Sequence, residues 1–174
     1  MFTKADIEKY FIAEKNESLL FLALGIIAIL LSVLFFSFLK TNFYKGAAIP
    51  LLAIGLIQAV VGYTVYARTD GQRIDNVYAY DMNPGQLKSE ELPRMKTVNK
   101  NFVIYRWIEI AFIGVGLALI FLYKSGPEKA FWFGLGLTLA IQAAIMLCAD
   151  YFAEKRAGVY TTQLESLASS NKPT

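Results

Sequence analysis

The chain has 174 residues, a formal net charge of +3, one cysteine and no histidine. That length suits one compact domain, and the lack of histidine excludes Ser-His or Cys-His catalytic pairs and histidine-ligated haem, copper or zinc. A single cysteine excludes an internal disulfide, and basic residues interleaved with acids exclude a nucleic-acid patch, so no catalytic residue, metal, cofactor or nucleic-acid partner is expected.

Residues 1–17 open with Thr3 and Asp6, an N-cap and its partner. Phe2, Ile7, Tyr10 and Phe11 then recur at helical spacing opposite Lys4, Glu8 and Lys15. This pattern predicts an amphipathic helix at the cytoplasmic membrane interface. The segment is too long and too mixed in charge for a secretory signal, so the apolar run after it is expected to be retained.

Four apolar runs follow at 18–39, 46–67, 102–123 and 130–149. Each is about 20 residues long, enough at about 1.5 Å rise per residue to cross a hydrocarbon core of about 30 Å. The first, second and fourth carry no charge, and the third carries Arg106 and Glu109. Aromatic residues collect near the run ends, among them Tyr63, Tyr66, Tyr105, Trp107, Tyr123 and Trp132, where amphipathic rings favour the headgroup zone. The predicted fold is an all-α integral membrane four-helix bundle.

Residues 68–101 read as a cytoplasmic loop. Thr69-Asp70-Gly71 and Asn83-Pro84-Gly85 are its turn signals, and Met95, Val98 and Phe102 form one face of a lead-in helix to the third span. Residues 150–174 read as a helical extension, with Phe152, Val159, Tyr160, Leu164 and Leu167 at helical spacing, and a flexible tail from Ala168. Basic residues fix the expected topology. The N-terminal segment, the central loop and the C-terminal tail hold 12 Lys and Arg, and the two opposite turns hold 4. This asymmetry puts both termini and the loop in the cytoplasm, with a bacterial inner membrane as the expected location.

The halves resemble each other. Lys15-Asn16 precedes the first span and Lys100-Asn101 the third, and Ile57-Gln58-Ala59 matches Ile141-Gln142-Ala143. Few other positions agree. A duplicated helical hairpin is one explanation, and coincidence in apolar sequence is the other.

The candidate binding positions are Arg106, Glu109, Gln58 and Gln142. Gln58 and Gln142 lie mid-span among small residues, where an amide either bonds across a helix seam or lines a midplane site. Glu109 lies two turns inside its span. It either pairs with Arg106, three residues earlier, or serves as a proton- or cation-binding carboxylate. Glu17, Arg68 and Asp150 mark the cytoplasmic boundary, with Glu17 and Asp150 expected to reach Arg68 or Arg106. Gly114/Gly116 and Gly134/Gly136 are expected to bring the third and fourth helices together. The expected function is non-enzymatic. The first reading is assembly in the bilayer with a second copy or another membrane protein. The alternative is a small oligomeric transporter or channel with an intramembrane carboxylate, and the third reading is a lipid-modifying enzyme.

Overall fold

The structure, a computed structural model, describes residues 2–170. It is all-helical, with four long helices joined by tight turns. Helix α1 is Lys4–Leu34, continued by a π-turn Phe35–Leu39. Helix α2 is Asn42–Met82. Helix α3 begins at Pro84, passes a π-turn at Leu87–Glu91 and runs on as Leu92–Tyr123. Helix α4 is Ala130–Ser170, entered through a 3₁₀ turn at Pro127–Lys129. Each of the four is long and apolar enough to cross a membrane by length and composition.

Local chemistry explains the ends. The Thr3 N–H and hydroxyl both donate to Asp6 Oδ2, at 2.8 and 2.7 Å. That contact holds the Asp6 carboxyl below its ordinary range. The turn between α1 and α2 is shorter than the apolar runs imply. Lys40 adopts a left-handed φ of 49° and Thr41 caps α2, its hydroxyl accepting from the Tyr44 N–H. At the second turn Gly126 takes φ 106°, a region that favours glycine.

Residues 68–101 are not a loop. Of the two expected turns, α2 runs through Thr69-Asp70-Gly71 without a break, and the chain reverses at the other, Asn83-Pro84-Gly85. Glycine inside a helix costs about 1 kcal/mol relative to alanine, and tertiary contacts outweigh it here. The Thr69 hydroxyl donates to Glu14 Oε2 on α1 at 3.4 Å, the Asp70 carboxylate binds Lys15 on the same helix, and Ala79 farther along is buried. Residues 1–17 also differ from the expected interfacial helix. From Lys4 onward they are the first turns of α1 itself, and their apolar face is covered by protein, with Ile7 and Phe11 fully buried. The C-terminal helix reaches Ser170, past the expected start of a tail, and residues 171–174 lie outside the described residues.

In space the helices run α1, α2, α4, α3. Contacts are densest within the pairs α1–α2 and α3–α4, and next densest between α2 and α4, the central pair. This is the arrangement of two side-by-side hairpins. Within the apolar spans, small residues set the spacing. A Cβ at Gly25 would meet Ala59 N at 2.6 Å, and one at Gly62 would meet Leu22 N at 2.6 Å. Gly116 and Gly136 close the α3–α4 seam, where a Cβ on either would meet the other's carbonyl oxygen at 2.7 Å. Gly134 instead faces Phe43 on α2, and Gly114 faces no neighbour, so only one glycine of each pair serves that seam. Hydroxyls tie the seams further: Ser32 donates to Ala48 O at 2.8 Å and Thr138 to Ala47 O at 3.0 Å.

Beyond the spans, at the end carrying the N-terminus, the extended helices form a separate head. Its core joins Phe2, Ile7, Tyr10 and Phe11 of the N-terminal segment to Leu87 and Met95 of α3 and Tyr160 and Leu164 of α4. Tyr10 and Tyr160 stack with centroids 4.2 Å apart, and burial pushes both phenols up from their ordinary range. The buried stripe of α4 is Ala157, Tyr160 and Leu164, whereas Phe152 and Val159 point outward. Glu91 grips Arg94 through two bonds of 2.6 and 2.7 Å, and the guanidinium covers the Phe11 ring. Burial alone would pull the Arg94 guanidinium down, but the Glu91 carboxylate reverses that and raises it.

Candidate functional site

The charged residues of interest gather where the apolar spans meet the head. Helices α3 and α4 are antiparallel there, and three cross-helix contacts share one register: Lys96 with Glu165 at 3.0 Å, Asn99 with Thr161 at 2.7 Å, and Arg106 with Glu154 at 3.1 Å. Continuing that register one turn deeper brings Glu109 opposite Asp150.

Arg106 and Glu109 therefore do not pair. Three residues apart on one helix, they diverge for a geometric reason. A helical side chain leans toward the N-terminus of its helix, which for α3 is the head. The long arginine extends that way to Glu154 and remains partly exposed. Glu109 turns inward and is 2% exposed. Among the described residues no basic, amide or hydroxyl group donates to its carboxyl oxygens, and the one polar group within reach is the Asp150 carboxyl. Its ionisable neighbour is the Asp150 carboxyl, and Asp150 in turn lies within electrostatic reach of Glu17 and Glu154. A buried acid beside a second acid, with no donor, is an expensive arrangement in a low-dielectric setting.

The other boundary residues sort themselves around this pair. Glu17 on α1 is gripped bidentately by Arg156 on α4, not by Arg68 or Arg106. Arg68 is exposed and joins no ion pair among the described residues. It sits on the outer side of α2, whereas Arg156 lies on the side of α4 that reaches Glu17 of α1. Sequence reasoning missed Glu154 and Arg156 as partners. The signal was available in the antiparallel register of α3 and α4, once the helices are extended beyond their apolar runs.

Gln58 and Gln142 are both buried, at 2% and 7% exposure. Gln58 lies under α1 at Gly25. No hydrogen bond joins either amide to another helix among the described residues, and Gln142 Oε1 has no partner. The glutamines thus sit in the seams but do not stitch them.

Beside the acid pair, a half-open groove of 460 Å³ runs between α3 and α4. Arg106, Asp150 and Glu154 line its charged end, and Ile110, Ile113, Ala144 and Leu147 line the apolar remainder. Cys148, the lone cysteine, is exposed on its wall. Among the described residues no three acids or cysteines gather closely enough to hold a metal ion. The chemistry on offer is attraction of positive charge, with an apolar surface beside it. No protein-family model matches the chain, and no curated protein or solved structure matches it significantly, so its function is read from this site.

Proposed function

We propose that the chain is a four-span integral membrane protein that binds a cation at Glu109 and Asp150 and acts, without catalysis, as the subunit of a small oligomeric transporter. Membrane insertion is supported by four helices of spanning length and by the large apolar side chains left exposed along them, among them Leu30, Val60, Phe121 and Leu122. The excess of basic residues at the head end supports a cytoplasmic head with both termini on that side, in a bacterial inner membrane.

One observation carries the functional reading: Glu109 is buried, and among the described residues the only polar group in reach of its carboxyl is a second acid, Asp150. Two carboxylates this close in a dry setting need a proton or a cation between them. A purely structural site would be more stable with apolar residues in both places, so the pair is best explained by what it holds. Four helices enclose little, and the groove opens sideways. The assembly expected from the sequence therefore enters this reading as a homo-oligomer.

The test is cation or proton uptake into proteoliposomes under an imposed potential. Uptake above that of empty vesicles is expected for the native chain, and its loss in a folded Glu109→Gln variant. Equal uptake in both, or none in the native chain, would overturn the reading. Reporter fusions at Thr174 and within residues 81–88 should both report cytoplasm, and an external signal from either would refute the topology.

A further inference from the structure

Three acids lie within electrostatic reach of Asp150: Glu109 on α3, Glu154 on α4 and Glu17 on α1. Two of these have cations of their own. Arg106 meets Glu154 at 3.1 Å, and Arg156 grips Glu17 through both carboxylate oxygens. Neither arginine is therefore free to neutralise Glu109 and Asp150. Glu109 is 2% exposed, and Asp150 is half-buried. Charged together, the two would repel each other beside an apolar wall, with the ionised Glu17 and Glu154 adding to the repulsion.

The ligands on offer limit what can relieve that repulsion. A hard metal cation gives up its water only for about six or more oxygens. Two carboxyl groups bring two oxygens each. Among the described residues no third acid or cysteine joins them, and no hydroxyl or amide reaches the Glu109 carboxyl. The neighbouring side chains Ile110, Ile113, Ala144 and Leu147 carry no oxygen. A proton needs only one oxygen to hold it and a second to accept its hydrogen bond.

We infer that the cation held by Glu109 and Asp150 is a single proton shared between their carboxyl groups, and that Asp150 is the step through which it exchanges with the head side. The proton comes from water at the head and protonates the half-buried Asp150. It passes to Glu109 as Asp150 returns to carboxylate, and the reverse steps release it. No other reactant takes part. This inference rests on the cation site proposed above and names its occupant.

The test uses the full chain in lipid nanodiscs at neutral pH, read by infrared difference spectroscopy. A protonated-carboxyl C=O band that shifts in D2O is expected in the native chain and should be lost in a folded Glu109→Gln variant. Saturating sodium, potassium, magnesium or calcium should leave the native band unchanged. A band that is missing from the native chain, or that any of these metals removes, overturns the inference with no variant needed. So does a band that survives Glu109→Gln. Asp150→Ala should keep the band but slow its hydrogen–deuterium exchange about a hundredfold, the scale of one positioned proton-transfer group. Unchanged exchange, or loss of the band, overturns the role given to Asp150. Failure of the underlying reading is distinguishable in vesicles that hold a pH dye, with N-methylglucamine as the only salt cation and thiocyanate as permeant anion. An external acid jump should acidify the lumen faster than in empty vesicles, and Glu109→Gln should abolish the difference. Glu109-dependent uptake of a labelled metal cation without acidification keeps the transporter and overturns this inference. The band without uptake of any kind keeps the proton site and overturns the transporter.

Discussion

The two ends of the molecule are built by opposite means. In the head, large side chains interlock: Tyr10, Phe11, Met95, Tyr160 and Leu164 are buried almost completely. In the spans, the contacts are made by what is missing. Gly25, Gly46, Gly62, Gly116 and Gly136 let backbones approach to distances no side chain would permit. The difference is the one expected if the head meets water and the spans meet lipid, as proposed above. Water drives large apolar groups together. Hydrocarbon does not, and close backbone packing with hydrogen bonds such as Thr138 to Ala47 O is how helices associate there, as the proposed membrane setting of the spans requires.

The contrast is sharpest under mutation. Tyr160→Ala removes the ring that touches Phe2, Tyr10 and Phe11, and should destabilise the head by about 3–5 kcal/mol. Thermal unfolding in detergent would register it, and a loss under 1 kcal/mol would mean the head core is not a stability element. Gly62→Leu works by the reverse route, adding atoms where α1 passes. Overpacking costs about 1–3 kcal/mol and should part α1 from α2, read as lost cross-linking between cysteines placed on the facing turns. A tolerated leucine would refute the seam.

Gln142→Leu tests whether polar groups matter in the seams. Its Oε1 is buried without a partner. Leucine should therefore leave the unfolding midpoint unchanged or raise stability by about 1 kcal/mol, opposite in sign to a bonded amide. Gly71→Ala is the smallest effect. The residue is helical with open space around it, so alanine should stabilise by about 0.5–1 kcal/mol. Destabilisation would restore the turn that the local sequence suggests.

What could be read from the chain divides along the same line. Spans of about 20 apolar residues need no partner to be recognised, and so the four helices and their order were plain. The inward turn of Glu109 was also foreseeable, because a carboxylate facing lipid is costly. Thr69-Asp70-Gly71 misled because a turn signal is a local preference of about a kilocalorie per mole. It was overridden by the head, whose contacts join residues more than a hundred positions apart. The stripe Phe2, Ile7, Tyr10 and Phe11 was correctly seen as one face, but its periodicity is the same whether the cover is lipid or protein. The Arg106 partner was missed for a related reason. Spacing along one helix offers Glu109, and only the register between two helices offers Glu154.

The head core joins the beginning of the chain to its far end: Phe2 and Tyr10 close against Tyr160 and Leu164. During synthesis the apolar face of the N-terminal segment is only partly covered, by Ala79 of α2 and Leu87 and Met95 of α3, until the far end of α4 has emerged from the ribosome. Closure of the head is thus the last step of assembly and depends on every span before it having been placed on the correct side. A chain truncated before Ala157 lacks Tyr160 and Leu164 and leaves Ile7, Tyr10 and Phe11 incompletely covered, the kind of exposed apolar stripe that holdases and proteases recognise. The first four turns of the protein act, in this sense, as a proofreader of the rest.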